Sequence, residues 1–181
     1  GVEWQINHKG NIFQGKSGYL DIENKYPIVT DTIYRIWSMT KPIVSIVALQ
    51  LIDENKMRLE DPITNYLPQF KNLKVLETRN SNISNLVNIK KIPTIKDLLS
   101  HTAGFSYNFI GDPVGREYDR LGLFHSGITS LEEEINLLAS IPLLYQPSEG
   151  WVYSVSVDVL GRIIEIITNS TLQSELKKRI F

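Results

Sequence analysis

Pro42 stands directly before an apolar stretch, Ile43-Val44-Ser45-Ile46-Val47-Ala48-Leu49-Gln50-Leu51. Ile43, Val44, Val47 and Leu51 recur at helical spacing, and Ile46 and Leu49 widen the apolar face. A proline is tolerated only in the first turn of a helix. The helix must therefore begin close to Ser38, and it runs to about Asn55. The width of its apolar face predicts a helix buried on most sides. One packed helix at the centre, begun at a serine, is the constraint from which the rest of the reading follows.

The chain is long enough to bury such a helix. Its 181 residues allow one domain, or two small ones, with a real core. Hydrophobic residues make up 42% and charged residues 22%, which fits a globular domain. Nineteen Lys+Arg against twenty Asp+Glu leave a formal net charge of −1. That balance removes the electrostatic case for nucleic-acid binding and for a polybasic membrane anchor. With no cysteine, disulfides, thiolate metal sites and Cys nucleophiles are excluded. The compartment stays open between cytoplasm and periplasm. No apolar run reaches the length of a bilayer span, and no signal peptide is visible. The chain starts at Gly1, not Met, which suggests a processed or cut start.

Val2, Trp4 and Ile6 alternate with polar residues, His8-Lys9-Gly10-Asn11 supplies a turn, and Ile12-Phe13 begins a return strand. Thr32 to Trp37 reads as a brief strand feeding the first helix. Asp61-Pro62 starts a short element ending at Tyr66-Leu67-Pro68. Residues 71 to 91, rich in Asn, Lys and Ser, read as a long surface excursion. Thr94-Ile95-Lys96-Asp97 resembles a capping box and opens a short helix to Ser100. His101-Thr102-Ala103-Gly104 is a turn, and residues 105 to 129 read as an ordered loop region. Ser130 caps a helix with Glu132, Glu133 and Glu134 in its first turn, where the dipole favours acids. Pro142 stops it. After the turn Pro147-Ser148-Glu149-Gly150, a long helix reaches about Thr168, with Val159, Leu160, Ile163, Ile164 and Ile167 facing inward. Ser170-Thr171-Leu172-Gln173 reads as another capping box opening a last helix to Arg179.

The first candidate for chemistry is Ser38-Met39-Thr40-Lys41. Ser and Lys three apart share a helix face. The helix start adds unpaired N–H groups and a positive dipole end near the serine oxygen. A serine hydroxyl needs a base to become a nucleophile. Lysine is that base only when neutral, and bringing its pKa from about 10.4 to about 7 costs on the order of 4–5 kcal/mol. The four-residue pattern alone is weak, since a chain this long shows about one by accident. A second copy, Ser174-Glu175-Leu176-Lys177, lies in the last polar helix and reads as a solvated surface pair. Ser38 itself also suits a plain N-cap.

The second candidate is Tyr153-Ser154-Val155, whose tyrosine could complete a proton relay with Lys41 or simply be a half-buried tyrosine with a wet hydroxyl. His8, His101 and His125 lack metal-ligand spacing. His101 suggests a Ser-His-Asp triad only weakly, because the S-x-x-K pattern carries its own base. The Glu132–Glu134 run is helix-start electrostatics, and the glycines form no phosphate loop.

Three segments in order carry a resemblance: Ser38-Met39-Thr40-Lys41-Pro42, Leu98-Leu99-Ser100-His101-Thr102-Ala103-Gly104, and Trp151-Val152-Tyr153-Ser154-Val155-Ser156-Val157-Asp158-Val159-Leu160-Gly161. The chain resembles the serine β-lactamase and penicillin-binding-protein superfamily, and within it the class C-like β-lactamases and family VIII carboxylesterases. The resemblance implies an α+β, β-lactamase/transpeptidase-like fold, mostly the helical subdomain plus an N-terminal β-hairpin. Residues 1–37 would be N-terminal strands of the sheet and 38–181 the helical region of one partial domain, with no independent second domain. It implies Ser38 as nucleophile, Lys41 and Tyr153 as proton-transfer groups, a small-molecule ester or β-lactam substrate, and no metal or organic cofactor.

Two departures qualify the resemblance. The family's β-lactamases usually place Asn two residues after the tyrosine, where this chain has Val155, a substrate-binding position that cannot donate an amide hydrogen bond. That tilts the expectation toward an esterase. Family domains are also considerably longer. The remainder normally supplies a third motif, the second oxyanion-hole N–H, most of the sheet and a closing helix. The expectation is therefore a fragment lacking the C-terminal strands, with impaired rate and an exposed sheet edge open to self-association. Two alternatives stand beside the hydrolase: a non-catalytic remnant acting through binding or self-association, and a penicillin-recognising sensor that acylates without turnover.

Overall fold

The computed structural model describes residues 1–125 and 129–181, so positions 126–128 of the expected loop region lie outside the described residues. The chain divides into two compact units, Gly1–Ser38 and Met39–Phe181.

In the first unit, β1 (Val2–His8) pairs antiparallel with β2 (Asn11–Ser17), in a register from Val2↔Ser17 to His8↔Asn11. Two residues, Lys9 and Gly10, join them, both in the left-handed region (φ 51° and 84°). Positive φ at both positions matches the twist of the flanking strands, and Gly10 adopts it without cost. The indole of Trp4 lies across Gly15, so close that a Cβ there would sit 2.6 Å from the ring. A second pair, β3 (Tyr19–Asp21) with β4 (Tyr26–Pro27), follows. Thr32–Trp37 is not a strand, contrary to its apolar pattern. Thr32 is spent on a turn instead: its hydroxyl accepts the Val29 N–H at 2.9 Å and its N–H donates to the Val29 carbonyl at 3.1 Å.

The second unit is built on helices. A 3₁₀ turn, Trp37–Met39, precedes α1 (Thr40–Asp53), which places Pro42 in the first turn. Val44, Val47, Ala48 and Leu51 are buried. Ile46 and Leu49, each 47% exposed, lie on the opposite side. The helix is therefore buried along one stripe, not on most sides as its composition suggests. Its inner stripe packs on α5 (Ser156–Thr168) and α6 (Leu172–Arg179).

Residues 71–91 are less of a surface excursion than their composition implies. β5 (Lys74–Leu76) and β6 (Leu86–Asn88) form a short hairpin, and Leu73, Val75 and Leu76 are core residues. The backbone of 74–76 is also bonded to Leu143 on both sides, at 2.8 and 2.9 Å. Strands of three residues are too short to leave a period in the sequence; only the polar loop between them is legible.

α2 (Ile95–Leu99) begins with the expected capping box of Thr94 and Asp97. Asp97 is buried and accepts from the Thr94 N–H and hydroxyl (both 2.9 Å), Thr102 Oγ1 (3.1 Å) and Ser148 Oγ (2.6 Å), with Lys91 at 3.4 Å. Burial works against the charged carboxylate, but these donors and Lys91 outweigh it and hold Asp97 below the usual carboxylate range. A depressed folded-state pKa stabilises the fold above the ordinary range, and the contribution is lost as the pH falls through it. Urea midpoints at pH 7 and pH 3 are expected to differ less in Asp97→Asn than in the parent chain. Thr94→Ala is expected to cost about 0.5–2 kcal/mol at pH 7.

Region 105–125 contains a helix, α3 (Pro113–Arg120), where a loop was expected. Asp112 caps it by accepting the Gly115 N–H at 2.8 Å, and Pro113 opens it. Only Val114 and Tyr118 give it an inner side, too few to announce a helical period. α4 (Leu131–Leu138) starts at the Ser130–Glu133 capping box, which gives Glu133 a definite task, and ends four residues before Pro142. α6 is capped by Thr171, not Ser170. Its hydroxyl accepts the Ser174 N–H, and no reciprocal box forms because the third helical residue is Ser174 itself. Ser174 is thus part of a helix start, and Lys177 is exposed.

α5 packs against α1, α2, α4 and α6, with Val159, Leu160, Ile163 and Ile164 buried at the centre of the core. No helix among the described residues is long and apolar enough to cross a membrane.

Candidate active site

Ser38 is the last residue of the first unit, exposed in the 3₁₀ turn that leads into α1. The residue before it, Trp37, has φ 48°. A bulky side chain in the left-handed region stores on the order of 1–3 kcal/mol of strain. Lys41, three positions on, is the second residue of α1 and belongs to the second unit, as do the remaining residues of the candidate site.

Lys41 and Tyr153 are brought together. The ammonium Nζ lies 4.9 Å from the centre of the Tyr153 ring. It lies 5.0 Å from the ring of a second tyrosine, Tyr107, and donates a hydrogen bond to the Tyr107 oxygen at 3.0 Å. The two rings are stacked, 5.7 Å apart at 26°. Tyr107 in turn donates to Asp158 Oδ2 at 3.3 Å, from the first turn of α5. Neither Tyr107 nor Asp158 emerges from the sequence pattern as a site residue. Tyr107 comes just after the His101–Gly104 turn, within a stretch that reads as loop, and Asp158 enters only as one residue of the Trp151–Gly161 segment.

The charges explain each other. Burial disfavours the cation on Lys41, but the Tyr107 hydrogen bond, the Tyr153 oxygen and the Asp158 charge outweigh it and hold the amine above the usual lysine range. Burial pushes the Asp158 carboxyl up, against the pull of Lys41. Burial and Asp158 likewise raise the Tyr107 phenol, with Lys41 opposing. A neutral lysine, the form required of a free base, is not what this environment favours. It favours an ammonium placed to offset negative charge on a neighbouring phenol oxygen.

His101 completes the cluster as a neighbour and not as a triad member. Its ring packs on Tyr153 at 4.9 Å and meets the exposed Trp151 edge-on at 6.4 Å. Phe109, also exposed, stacks on Tyr107 at 4.8 Å. The result is a continuous row of rings, Phe109, Tyr107, Tyr153, His101 and Trp151, with Lys41 over its middle.

Val155 is placed differently. Its side chain is fully enclosed in the core, and its N–H donates to the Ser106 carbonyl at 3.1 Å. An amide at this position would be buried among apolar side chains. Val155→Asn is expected to cost about 2–4 kcal/mol of stability and to gain no β-lactam turnover, read by thermal unfolding and a chromogenic β-lactam.

The Beta-lactamase family model matches residues 1–181. Esterase EstB of Burkholderia gladioli is 35% identical over 169 residues, which is 91% of this chain and 40% of that protein. Among solved structures, EstCE1, a hydrolase with promiscuous acyltransferase activity, aligns with a TM-score of 0.79 and 30% identity, covering 99% of this chain and 45% of its own. A penicillin-binding protein from Bacillus halodurans shares the fold at 19% identity, with a TM-score of 0.70 over 97% of this chain and 47% of its own. The chain thus spans less than half the length of each of these relatives. Because the family model takes in every residue and the EstCE1 structure follows nearly all of the backbone, the chain belongs to the Beta-lactamase family and has its β-lactamase/transpeptidase-like fold.

Proposed function

We propose that this chain carries the nucleophile and the proton-transfer groups of a serine hydrolase of the esterase type, acting on a small-molecule ester or β-lactam. The observation that carries the reading is the seating of Lys41 between Tyr107 and Tyr153, three positions after an exposed serine. Ser38 Oγ attacks the substrate carbonyl carbon and its proton passes to Tyr153 acting as the phenolate, which becomes the neutral phenol. The Lys41 ammonium offsets the negative charge of that phenolate, and Tyr107 and Asp158 hold the ammonium in place. The carbonyl π electrons move to oxygen, where the Ser38 N–H is one donor for the oxyanion. Collapse expels the alcohol, which leaves with the proton, and an acyl-Ser38 ester remains. Water attacks that ester by the same route and releases the acid. Similarity to the esterase EstB and to the hydrolase EstCE1 supports this reading, and an enclosed Val155 in place of an amide supports its esterase side.

Incubation with a chromogenic short-chain ester and an aryl fluorophosphonate tests the reading. Turnover together with a single adduct at Ser38, both abolished in Ser38→Ala, is the expected result. A folded chain giving neither signal sinks it. A β-lactam adduct that forms and is never released would instead mark the sensor.

A second reading concerns self-association. Both outer edges of the β1–β2 hairpin are free among the described residues, and Ile6, Ile12 and Phe13 are more than half exposed. Unpaired edges with apolar side chains favour pairing with another strand. A concentration-dependent dimer in sedimentation, lost in Ile6→Lys, supports pairing with a second copy; a monomer at all concentrations excludes it.

A further inference from the structure

His101 occupies a place that the hydrolytic step above does not use. The backbone N–H of Ser154 donates to its Nδ1 at 3.2 Å. A backbone N–H only donates, so Nδ1 must present its lone pair and the ring proton must be on Nε2. The Ser154 hydroxyl lies 3.1 Å from the same nitrogen and 2.7 Å from Ser156 Oγ at the start of α5, and both serines are buried. The imidazole is thereby fixed to the 154–156 turn while its face supports Tyr153. Its own backbone is held as well: the His101 carbonyl accepts the Tyr145 hydroxyl at 3.1 Å and the Val152 N–H at 3.3 Å, with φ at 57°.

We infer that His101 is a positioning residue of this site: its Nε2–H tautomer, pinned by the Ser154 N–H, holds the Tyr153 ring beside Lys41, and protonation of the imidazole releases that ring. The inference rests on the proposed hydrolase and adds its regulation by pH. An imidazolium has no lone pair on Nδ1, so two N–H groups would face each other and the buried Ser154 N–H would lose its acceptor. It would also put a second cation near Lys41. The charge facing the ring is Lys41. The neighbouring phenols are Tyr153 on its face and Tyr145 on its carbonyl. Burial, then Lys41, keep the imidazole below the usual histidine range, so the neutral form is the one the fold stabilises. The arrangement is complete above about pH 6.5 and is lost as the pH falls through the lowered folded-state value.

The test uses the 181-residue chain. Nitrogen-15 imidazole spectra report the tautomer and midpoint of His101, and the Tyr153 ring signals are followed over the same titration. Acylation of Ser38 by the aryl fluorophosphonate is timed across the same range. The expected result is a proton on Nε2, Tyr153 signals that shift with the His101 midpoint, and a rate falling roughly tenfold per pH unit below it. His101→Asn keeps an acceptor for the Ser154 N–H, tolerates the left-handed backbone and cannot titrate in this range. Its profile loses the acid limb. A proton on Nδ1, Tyr153 signals indifferent to the His101 midpoint, or an acid limb that persists in His101→Asn overturns the inference. A wild-type chain that never reacts with the phosphonate defeats the hydrolase reading, and the two spectroscopic signals then decide the coupling without it.

Discussion

Lys41→Met is expected to leave a folded chain whose Ser38 reacts with an aryl fluorophosphonate about 10²–10⁴-fold more slowly. Methionine keeps most of the aliphatic stem and removes the charge. What is lost is the cation that touches two aromatic rings and the Tyr107 oxygen at once. The rings remain stacked, but the phenolate that must take the Ser38 proton has lost its counter-ion. Asp158 loses the one charge that opposes its burial, and its carboxyl moves further up. The loss of rate is therefore expected alongside near-parental thermal unfolding. Lys177→Met, in the second S-x-x-K, provides the control: it alters an exposed lysine at the end of α6 and leaves the reaction unchanged. Equal rates in Lys41→Met and the parent would remove Lys41 from the chemistry.

Phe70→Ala is the largest expected stability effect, about 3–5 kcal/mol. Phe70 is in the 3₁₀ turn Pro68–Asn72, is fully buried, and meets Phe105 edge-on at 6.0 Å and 85°. Truncation forfeits the transfer free energy of the ring and the edge-to-face contact, and leaves a void in a core that relaxes only partly. Domains of this kind hold about 5–15 kcal/mol in total, so the loss is a large share. Phe105 lies two residues before Tyr107, and the same cavity is expected to loosen the ring that receives the Lys41 hydrogen bond. Urea unfolding should show a lower midpoint with little change in slope. Phe109→Ala, which removes a ring that is 67% exposed, should move the midpoint far less.

How much of this was legible in the sequence depends on the length scale of each signal. The long helices α1 and α5 are legible through apolar residues repeating over three or more turns, and the box at Thr94 and the cap at Ser130 through chemistry local to four residues; that Ser130 and Glu133 form a reciprocal box is not. The β5–β6 hairpin and α3 are not legible either, because three-residue strands and a helix with two inward side chains carry no measurable period. Thr32–Trp37 misled for the opposite reason: its apolar pattern was real, but a hydroxyl turn took the first residue and no strand accepted the rest. The pairing of Lys41 with Tyr153 followed from motif order. The placement of Tyr107, Asp158 and His101 did not, since each depends on which segments pack together over more than fifty residues of chain.

The backbone of Trp37 links stability to reactivity at a single position. An indole-bearing residue sits at φ 48°, against its own backbone preference. Asparagine, which is at ease in that conformation, would relieve the cost. It would also slacken the hold on the peptide that delivers the next hydroxyl into its helix. A variant selected for heat resistance at position 37 is thus predicted to trade away some of the aim of the neighbouring serine.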